Sequence, residues 1–495
     1  MSNQNSQSNI LRHFTPGRNP RPGQIQVLQT IEKEWDSADV FVIEASTGFG
    51  KSDLALTIAK WASSQKKLRT VIGCPNNVLV EQYRSSSPKT ACFKGATHYS
   101  CPTASEENKR ETNCANGGVI ATVGKRGGVK RKKCADCPYM KDMRKLFATP
   151  YGVTNFHMYL ARKDYRDVFI ADEAHSLIGM VRDLAARTLW KHEVHYPDGL
   201  KDYRALMKWL ESPNAQLKAE LRALQQDLLG SSPKYLVEKG WELYRGKNKE
   251  CLKLLPIDTA DQPPLLWPRA VKKIILMSAT INAKDLEQIG LSKRRVCWIT
   301  PPSAIPPDRR PIEVCDPGYN LSFDATEDEL NAAAAGIRRI ADAHPGERGV
   351  IHLTYGLLER LGPRIGTLGG RVLTHGKENK FAVYTQFLTG TKDQILVCAG
   401  LFEGIDLPQD LGRWQIIAKV PWPALTDSAW KWLAETDPVR YQWEALRTVM
   451  QGAGRVCRGP TDYGKTVILD RSFGSIDEEL MPTWFRSALV SGDRT

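Results

Sequence analysis

The sequence predicts an α/β protein of two parallel-sheet domains, the first interrupted by two insertions. Three observations carry this expectation. Strand-like and helix-like patterns alternate over residues 21–88 and again over 312–480, the rhythm of βαβ units in a parallel sheet. A glycine-bearing loop stands between an apolar strand and a helix start at 41–52. Thr300 to Pro311 contains Pro301, Pro302, Pro306, Pro307 and Pro311, and reads as an extended linker between the halves.

The elements follow in order. Residues 1–20 open on the polar, uncharged MSNQNSQSN and are expected to form a disordered tail. Helical spacing runs from Gln24 to Trp35, an apolar strand from Val40 to Glu44, a helix from Ser52 to Trp61 and a strand from Val71 to Cys74, within a first domain segment at 21–88. Over 89–149 the periodicity fails. Gly117–Gly118 and Gly127–Gly128 break it, and Cys, Lys and polar residues dominate, so this insertion needs something other than a hydrophobic core to order it. Strand character returns at Val168 to Ala171, within 150–182. Residues 183–265 read as a mostly helical second insertion, with Tyr203 to Leu229 its clearest amphipathic run. Ile274 to Met277 is a buried strand in the closing segment 266–299. The second domain, 300–495, has strands near Val350–Leu353, Ile395–Cys398, Ile416–Val420 and Thr466–Leu469.

Composition narrows the functional class. Of 495 residues, 41% are hydrophobic and 25% charged, as in ordinary soluble proteins. No apolar run reaches the ~18 residues of a membrane span, and the N-terminus lacks the basic start and apolar stretch of a secretory signal. A cytoplasmic protein of a prokaryotic or viral host cell, without a membrane partner, is expected. The net charge of +14 favours a polyanionic partner. Lys89 to Lys145 carries thirteen Lys/Arg against five Asp/Glu, so over half the excess charge lies in one segment; that is the pattern of a phosphate-binding surface, or of a solvated face. Five of the eleven cysteines (Cys92, Cys101, Cys114, Cys134, Cys137) share this segment, which suits a metal site better than disulfides.

Three motifs carry chemistry. In FVIEASTGFGKS, residues Ala45, Ser46, Thr47, Gly48, Phe49, Gly50, Lys51 and Ser52 form a phosphate-binding loop with Ala45 in the first glycine position. Gly48 and Gly50 let backbone N–H groups turn toward phosphates, and the helix N-terminus adds its positive dipole end. Lys51 is expected to reach the β/γ-phosphates and Ser52 to ligate Mg²⁺. VFIADEAH (168–175) is a strand ending in two carboxylates, Asp172 for Mg²⁺ and Glu173 to orient and deprotonate the attacking water. QGAGRVCRG (451–459) sets Arg455 and Arg458 three apart, expected on one helix face, as positive charge for a γ-phosphoryl transition state.

Together these pieces resemble the XPD/DinG family of superfamily 2 iron–sulfur DNA helicases, in the right order over roughly 20–475. RPGQ (21–24) looks like the opening motif, in which Gln24 would read adenine. CPNNVLVEQY (74–83) is similar to motif Ia, and TNFHMYL (154–160) to the segment that re-enters the motor. DEAH (172–175) and MSAT (277–280) are similar to motifs II and III. LFEGIDLP (401–408) and QGAGRVCRGPTDYG (451–464) are similar to motifs V and VI. The resemblance implies two RecA-like motor domains with ATP in the cleft between them. The first would carry an iron–sulfur insertion and a short helical arch-like insertion. It also implies single-stranded DNA across both domains, translocation from 5′ to 3′, and Gln451, Arg455 and Arg458 facing the γ-phosphate. Glu403–Asp406 and motif III would couple nucleotide state to DNA grip.

FKGATHYSCP (93–102) and CADCPYMKDMR (134–144) look like the two edges of that family's iron–sulfur domain. On this resemblance Cys101, Cys114, Cys134 and Cys137 would hold a 4Fe–4S cluster, with Cys92 a core or spare thiol. Spacing alone leaves zinc open. The expected function is an ATP-dependent DNA helicase acting as a monomer on single-stranded and forked DNA in replication, recombination or repair. The alternatives are a DEAH-box RNA helicase and a nucleic-acid-binding module without unwinding activity. No nuclease domain is expected ahead of the motor.

Overall fold

The computed structural model describes residues 8–100, 121–123, 129–131, 137–200, 202–212, 235–244, 247–260, 266–366, 368–376, 378–402 and 405–493. The strands are β1 Val40–Glu44, β2 Thr70–Cys74, β3 Ala91–Phe93, β4 Ala121–Val123, β5 Val129–Arg131, β6 Tyr151–Asn155 and β7 Val168–Asp172. Next come β8 Arg187–Trp190, β9 Tyr235–Tyr244, β10 Lys247–Pro256, β11 Lys273–Ser278, β12 Val296–Ile299 and β13 Ile312–Tyr319. The last six are β14 Gly349–Leu353, β15 Val372–Thr374, β16 Ile395–Ala399, β17 Trp414–Ile417, β18 Lys465–Asp470 and β19 Leu489–Asp493. Two compact units result. The first comprises Met1–Ala45, Gly50–Leu184 and Thr259–Pro301; the second comprises Ser46–Phe49, Ala185–Asp258 and Pro302–Thr495.

The first unit holds a seven-stranded sheet in the order β12-β1-β11-β7-β2-β6-β3, parallel throughout. VFVIE, TVIGC, VFIAD and KIILMS are buried along almost their whole length, as strands covered on both faces must be. Val42, Phe156, Phe169, Trp267 and Leu276 share one core cluster. Because the strands are parallel, their carboxyl ends face one edge, where ligands bind in open α/β sheets. The phosphate loop, MSAT, DEAH, motif Ia and TNF segments follow β1, β11, β7, β2 and β6 on that edge.

The second unit repeats the plan with a parallel sheet in the order β15-β16-β14-β17-β18-β13-β19. Ile351, Trp414, Ile416 and Val467 pack there with Leu330, Ile337 and Leu361. No helix among the described residues is long and apolar enough to cross a membrane.

Three expectations need correction. Of the 1–20 tail, residues 1–7 lie outside the described residues and the rest is held in place: Ile10 is fully buried, its N–H donates to Glu32 at 3.2 Å, and Thr15 and Arg18 bond Asp53 at 3.0 and 2.8 Å. A single apolar anchor in a polar stretch was enough. The edges of the 89–149 insertion do order through burial, since β3 joins the motor sheet and the Pro138–Ala148 helix packs on it. The 183–265 insertion is not mostly helical among its described residues. Its helices include Tyr203–Leu210, but its frame is an antiparallel sheet in the order β8-β10-β9. Val237, Leu252 and Leu254 on one face pack with Tyr203, Leu206 and Leu210. Leu236, Leu255 and Ile257 pack with Ala429 and Leu433 of the Ser428–Thr436 helix in the second unit. Burial on both faces removes the alternation that would have marked β10 as a strand.

Candidate functional site

The phosphate loop leaves β1 at Ala45, which is fully buried, and ends at Gly50, the N-cap of the Lys51–Gln65 helix. Gly48 and Gly50 have φ of 72° and 87°, a region that side chains rarely adopt. A Cβ on Gly50 would also lie 2.5 Å from the Gln24 amide nitrogen. That amide donates to the Gly50 carbonyl at 3.3 Å, while the Gln24 carbonyl accepts from the Arg21 N–H at 2.9 Å. Gln24 therefore braces the loop from the start of the Pro22–Glu34 helix. Lys51 is buried, with Nζ 3.5 Å from the Ala45 carbonyl and 3.6 Å from Glu173.

β7 delivers the two carboxylates to the same edge. Asp172 is 2% exposed, and its Oδ2 accepts from Ser52 Oγ at 3.1 Å and from the Tyr83 hydroxyl at 2.7 Å. Burial raises the pKa of Asp172 and the Glu173 charge adds to this, against Lys51, Tyr83 and Ser52, which favour the ionised form. A serine hydroxyl beside a carboxylate is the hard oxygen donor set that Mg²⁺ takes, so the residues present fit that ion. Glu173 has φ 55°, which turns its side chain out of the strand line toward Lys51. His175 Nδ1 lies 3.5 Å from Glu173 and 2.9 Å from Ser278 Oγ, tying DEAH to MSAT.

The neighbouring loops are joined as well. Asn77 Oδ1 accepts from the Asn155 amide at 2.6 Å, and Asn76 and Asn155 cap the helices that follow β2 and β6. Sequence reasoning did not single out Tyr83, Asn77, Asn155 or His175. A signal existed for Tyr83, because Val80 and Tyr83 stand three apart and both face inward from the Asn77–Ser86 helix.

In the second unit, Gln451 sits near the end of the Pro438–Ala453 helix, and Arg455 and Arg458 lie beyond it. The expectation of one helical face is corrected: the helix stops at Gly454, and Cys457 takes a φ of 59°. Arg455 donates to the Phe402 and Ile405 carbonyls at 2.8 and 3.1 Å and to Gln451 at 3.4 Å. Arg458 pairs with Asp406 at 2.5 Å and donates to the Gly454 carbonyl at 2.8 Å. Motifs V and VI are thereby locked together. Glu403 lies outside the described residues.

Of the four chosen cysteines, Cys101, Cys114 and Cys134 lie outside the described residues. Cys137 is 4% exposed and caps the Pro138–Ala148 helix beside Phe93, Tyr99 and Tyr139. Cys92 is buried in β3, a core thiol as expected. Among the described residues there is no group of three or more potential metal ligands.

Comparison with known proteins agrees with this layout. Residues 18–210 match the family described as type III restriction enzyme, res subunit, and residues 337–488 match the helicase C-terminal domain family. The fold is similar to a solved XPD helicase, with TM-score 0.62 and 15% identity over 96% of this chain and 100% of that one. It is also similar to Xpd4 of S. tokodaii, with TM-score 0.57 and 13% identity over 95% and 100%. Together these matches support an XPD/DinG-type superfamily 2 helicase. Within this family's reach, the ATP-dependent DNA helicase YoaA of Escherichia coli (strain K12) is 22% identical over 594 residues, 92% of each chain. The regulator of telomere elongation helicase 1 homolog of Caenorhabditis elegans is 29% identical over 139 residues, 24% of this chain. That match covers 14% of the relative's length, as does the one to its Caenorhabditis briggsae counterpart.

Proposed function

We propose that this chain is an ATP-driven motor that translocates on single-stranded DNA from 5′ to 3′ and unwinds duplex DNA as a monomer. The observation that carries the reading is the carboxyl edge of the first sheet. There Lys51, Ser52, Asp172 and Glu173 stand within bonding reach of one another, beside the motif Ia and TNF loops. Ala45 to Ser52 cradle the phosphates, Lys51 neutralises the β/γ charge, and Gln24 would read adenine. Ser52 and Asp172 would hold Mg²⁺, which supplies charge neutralisation on the phosphates. Glu173 takes the proton from the attacking water. Arg455 and Arg458 bring positive charge to the γ-phosphoryl transition state, and Gln451 a neutral amide facing the γ-phosphate.

The same reading extends to DNA and to the cysteines. Asn76 and Asn77 begin a helix whose N-terminal turn suits a backbone phosphate. The basic 89–145 segment supplies further phosphate contacts. Cys101, Cys114, Cys134 and Cys137 would hold a 4Fe–4S cluster, zinc being the alternative; the burial of Cys137 in one core cluster with Phe93 of β3 supports a rigid attachment there. Strand displacement on forked DNA with defined 5′ or 3′ tails tests the proposal, run beside ATP hydrolysis with single-stranded DNA or RNA. ATP-dependent displacement only with a 5′ tail is expected. Hydrolysis stimulated by RNA and not by DNA would overturn it.

A further inference from the structure

Tyr83 bonds one of the two DEAH carboxylates and has no part in the mechanism above. It sits two turns into the Asn77–Ser86 helix and is 1% exposed. Its hydroxyl donates to Asp172 Oδ2 at 2.7 Å, the same oxygen that accepts from Ser52 Oγ at 3.1 Å. Burying a phenol hydroxyl costs free energy unless it is bonded, and a phenylalanine would fill the same space without that cost. The hydroxyl therefore answers to the carboxylate and not to packing.

Two donors on one oxygen fix the plane of a carboxylate. Ser52 stands at the phosphate end of Asp172, whereas Tyr83 approaches from the helix after β2, the strand beside β7. The first turn of that helix is held in turn, since Asn77 is bonded to Asn155 at the end of β6. A run of hydrogen bonds and one rigid helix thus joins the ends of three adjacent strands to the carboxylate that would hold Mg²⁺. We propose that Tyr83 is a positioning residue for the metal: it orients Asp172 for Mg²⁺ binding from the helix that starts at motif Ia. This rests on the reading of Ser52 and Asp172 as the metal-holding pair.

Hydrogen-bond partners of metal-binding groups typically cost about 10–100-fold in metal affinity when removed. The test is Mn²⁺ binding to the full chain with ADP, followed by electron paramagnetic resonance, for wild type and Tyr83→Phe. Melting temperature and metal-free ADP affinity are measured alongside. The expected result is a Mn²⁺ dissociation constant raised about tenfold in Tyr83→Phe, with melting and metal-free ADP binding as in wild type. Equal Mn²⁺ affinity in the two proteins overturns the inference and leaves the nucleotide site standing. Loss of metal-free ADP binding in Tyr83→Phe also overturns it, because Tyr83 would then support the whole loop. Wild type that binds no Mn²⁺ with ADP overturns both this inference and the functional reading.

Discussion

Acidification should destabilise the second unit through one histidine. His352 lies in β14, one residue before its end, fully buried, with Nε2 3.3 Å from Gln415 Oε1 and its ring stacked on Phe402 at 5.0 Å. Burial pushes its pKa down to about 4; the Gln415 hydrogen bond opposes this, and the nearby Arg455 charge adds to it. In the unfolded chain the imidazole returns to about 6.5. Between these values the unfolded state binds a proton that the folded state refuses, so stability rises with pH and is lost as pH falls through about 6.5 toward 4. From about pH 7.5 to pH 5 the loss is about 2 kcal/mol, or roughly 5 °C in the melting temperature of a unit this size. Other groups titrate over the same range, so the measurement is a difference. His352→Gln keeps an amide donor toward Gln415 but cannot be protonated. Its own cost in lost ring packing is independent of pH and cancels. Calorimetry of both proteins at the two pH values should give a slope about 2 kcal/mol shallower for the variant. Parallel stability curves would refute the argument.

Glu173→Gln should bind ATP yet lower kcat by about 10²–10⁴, because the water loses its base; wild-type turnover in a steady-state phosphate assay would sink the mechanism. Lys51→Ala should weaken nucleotide binding, read by titration of a fluorescent ATP analogue. Arg455→Ala should cost rate and also stability, about 1.5–3 kcal/mol per charged hydrogen bond to the Phe402 and Ile405 carbonyls. Arg458→Ala should cost rate and less stability than Arg455→Ala, since its partner Asp406 is half exposed and only one carbonyl bond, to Gly454, is lost; a raised DNA dissociation constant with unchanged kcat would reject either as a transition-state group. Neutralising Lys130, Arg131, Lys132 and Lys133 together should flatten the salt dependence of DNA affinity, and an unchanged slope would make that run a solvated face. Anaerobically purified protein should be brown with about four irons per chain, and Cys137→Ser should lose iron and strand separation while hydrolysis falls less. Colourless protein holding one zinc would replace the cluster but not the motor.

The parallel sheets were legible because strands buried on both faces leave runs such as VFVIE and KIILMS, each bounded by turn chemistry. The phosphate loop and the DEAH carboxylates were legible for a related reason. Parallel strands must deliver their ligand-binding residues immediately past their carboxyl ends, so chemistry and strand termination coincide in the sequence. Lys51, Ser52, Asp172 and Glu173 came together as that logic requires. Arg455 and Arg458 were given the wrong backbone. A spacing of three reads as one helix face, and nothing in VCRG announces that the helix has already ended at Gly454.

The rest was hidden by tertiary packing. Tyr83 bonds a carboxylate 89 positions away, a pairing that no local periodicity encodes. Most of the Tyr203–Leu229 run lies outside the described residues; the described β10 was misread because CLKLLP is apolar on both of its faces, and a short run of that kind fits a buried helix as well as a strand. Each face has its own cause: Leu252 and Leu254 meet the Tyr203–Leu210 helix, while Leu255 and Ile257 meet Leu433. Arg440, buried in the Pro438–Ala453 helix, then donates to the Ile257 carbonyl and so clamps the chain where β10 leaves the sheet. The second cluster and this clamp exist only because the insertion has a partner in the second unit. Its sequence taken alone satisfies helical and strand patterns alike, and it is the seat on Ala429 and Leu433 that decides between them.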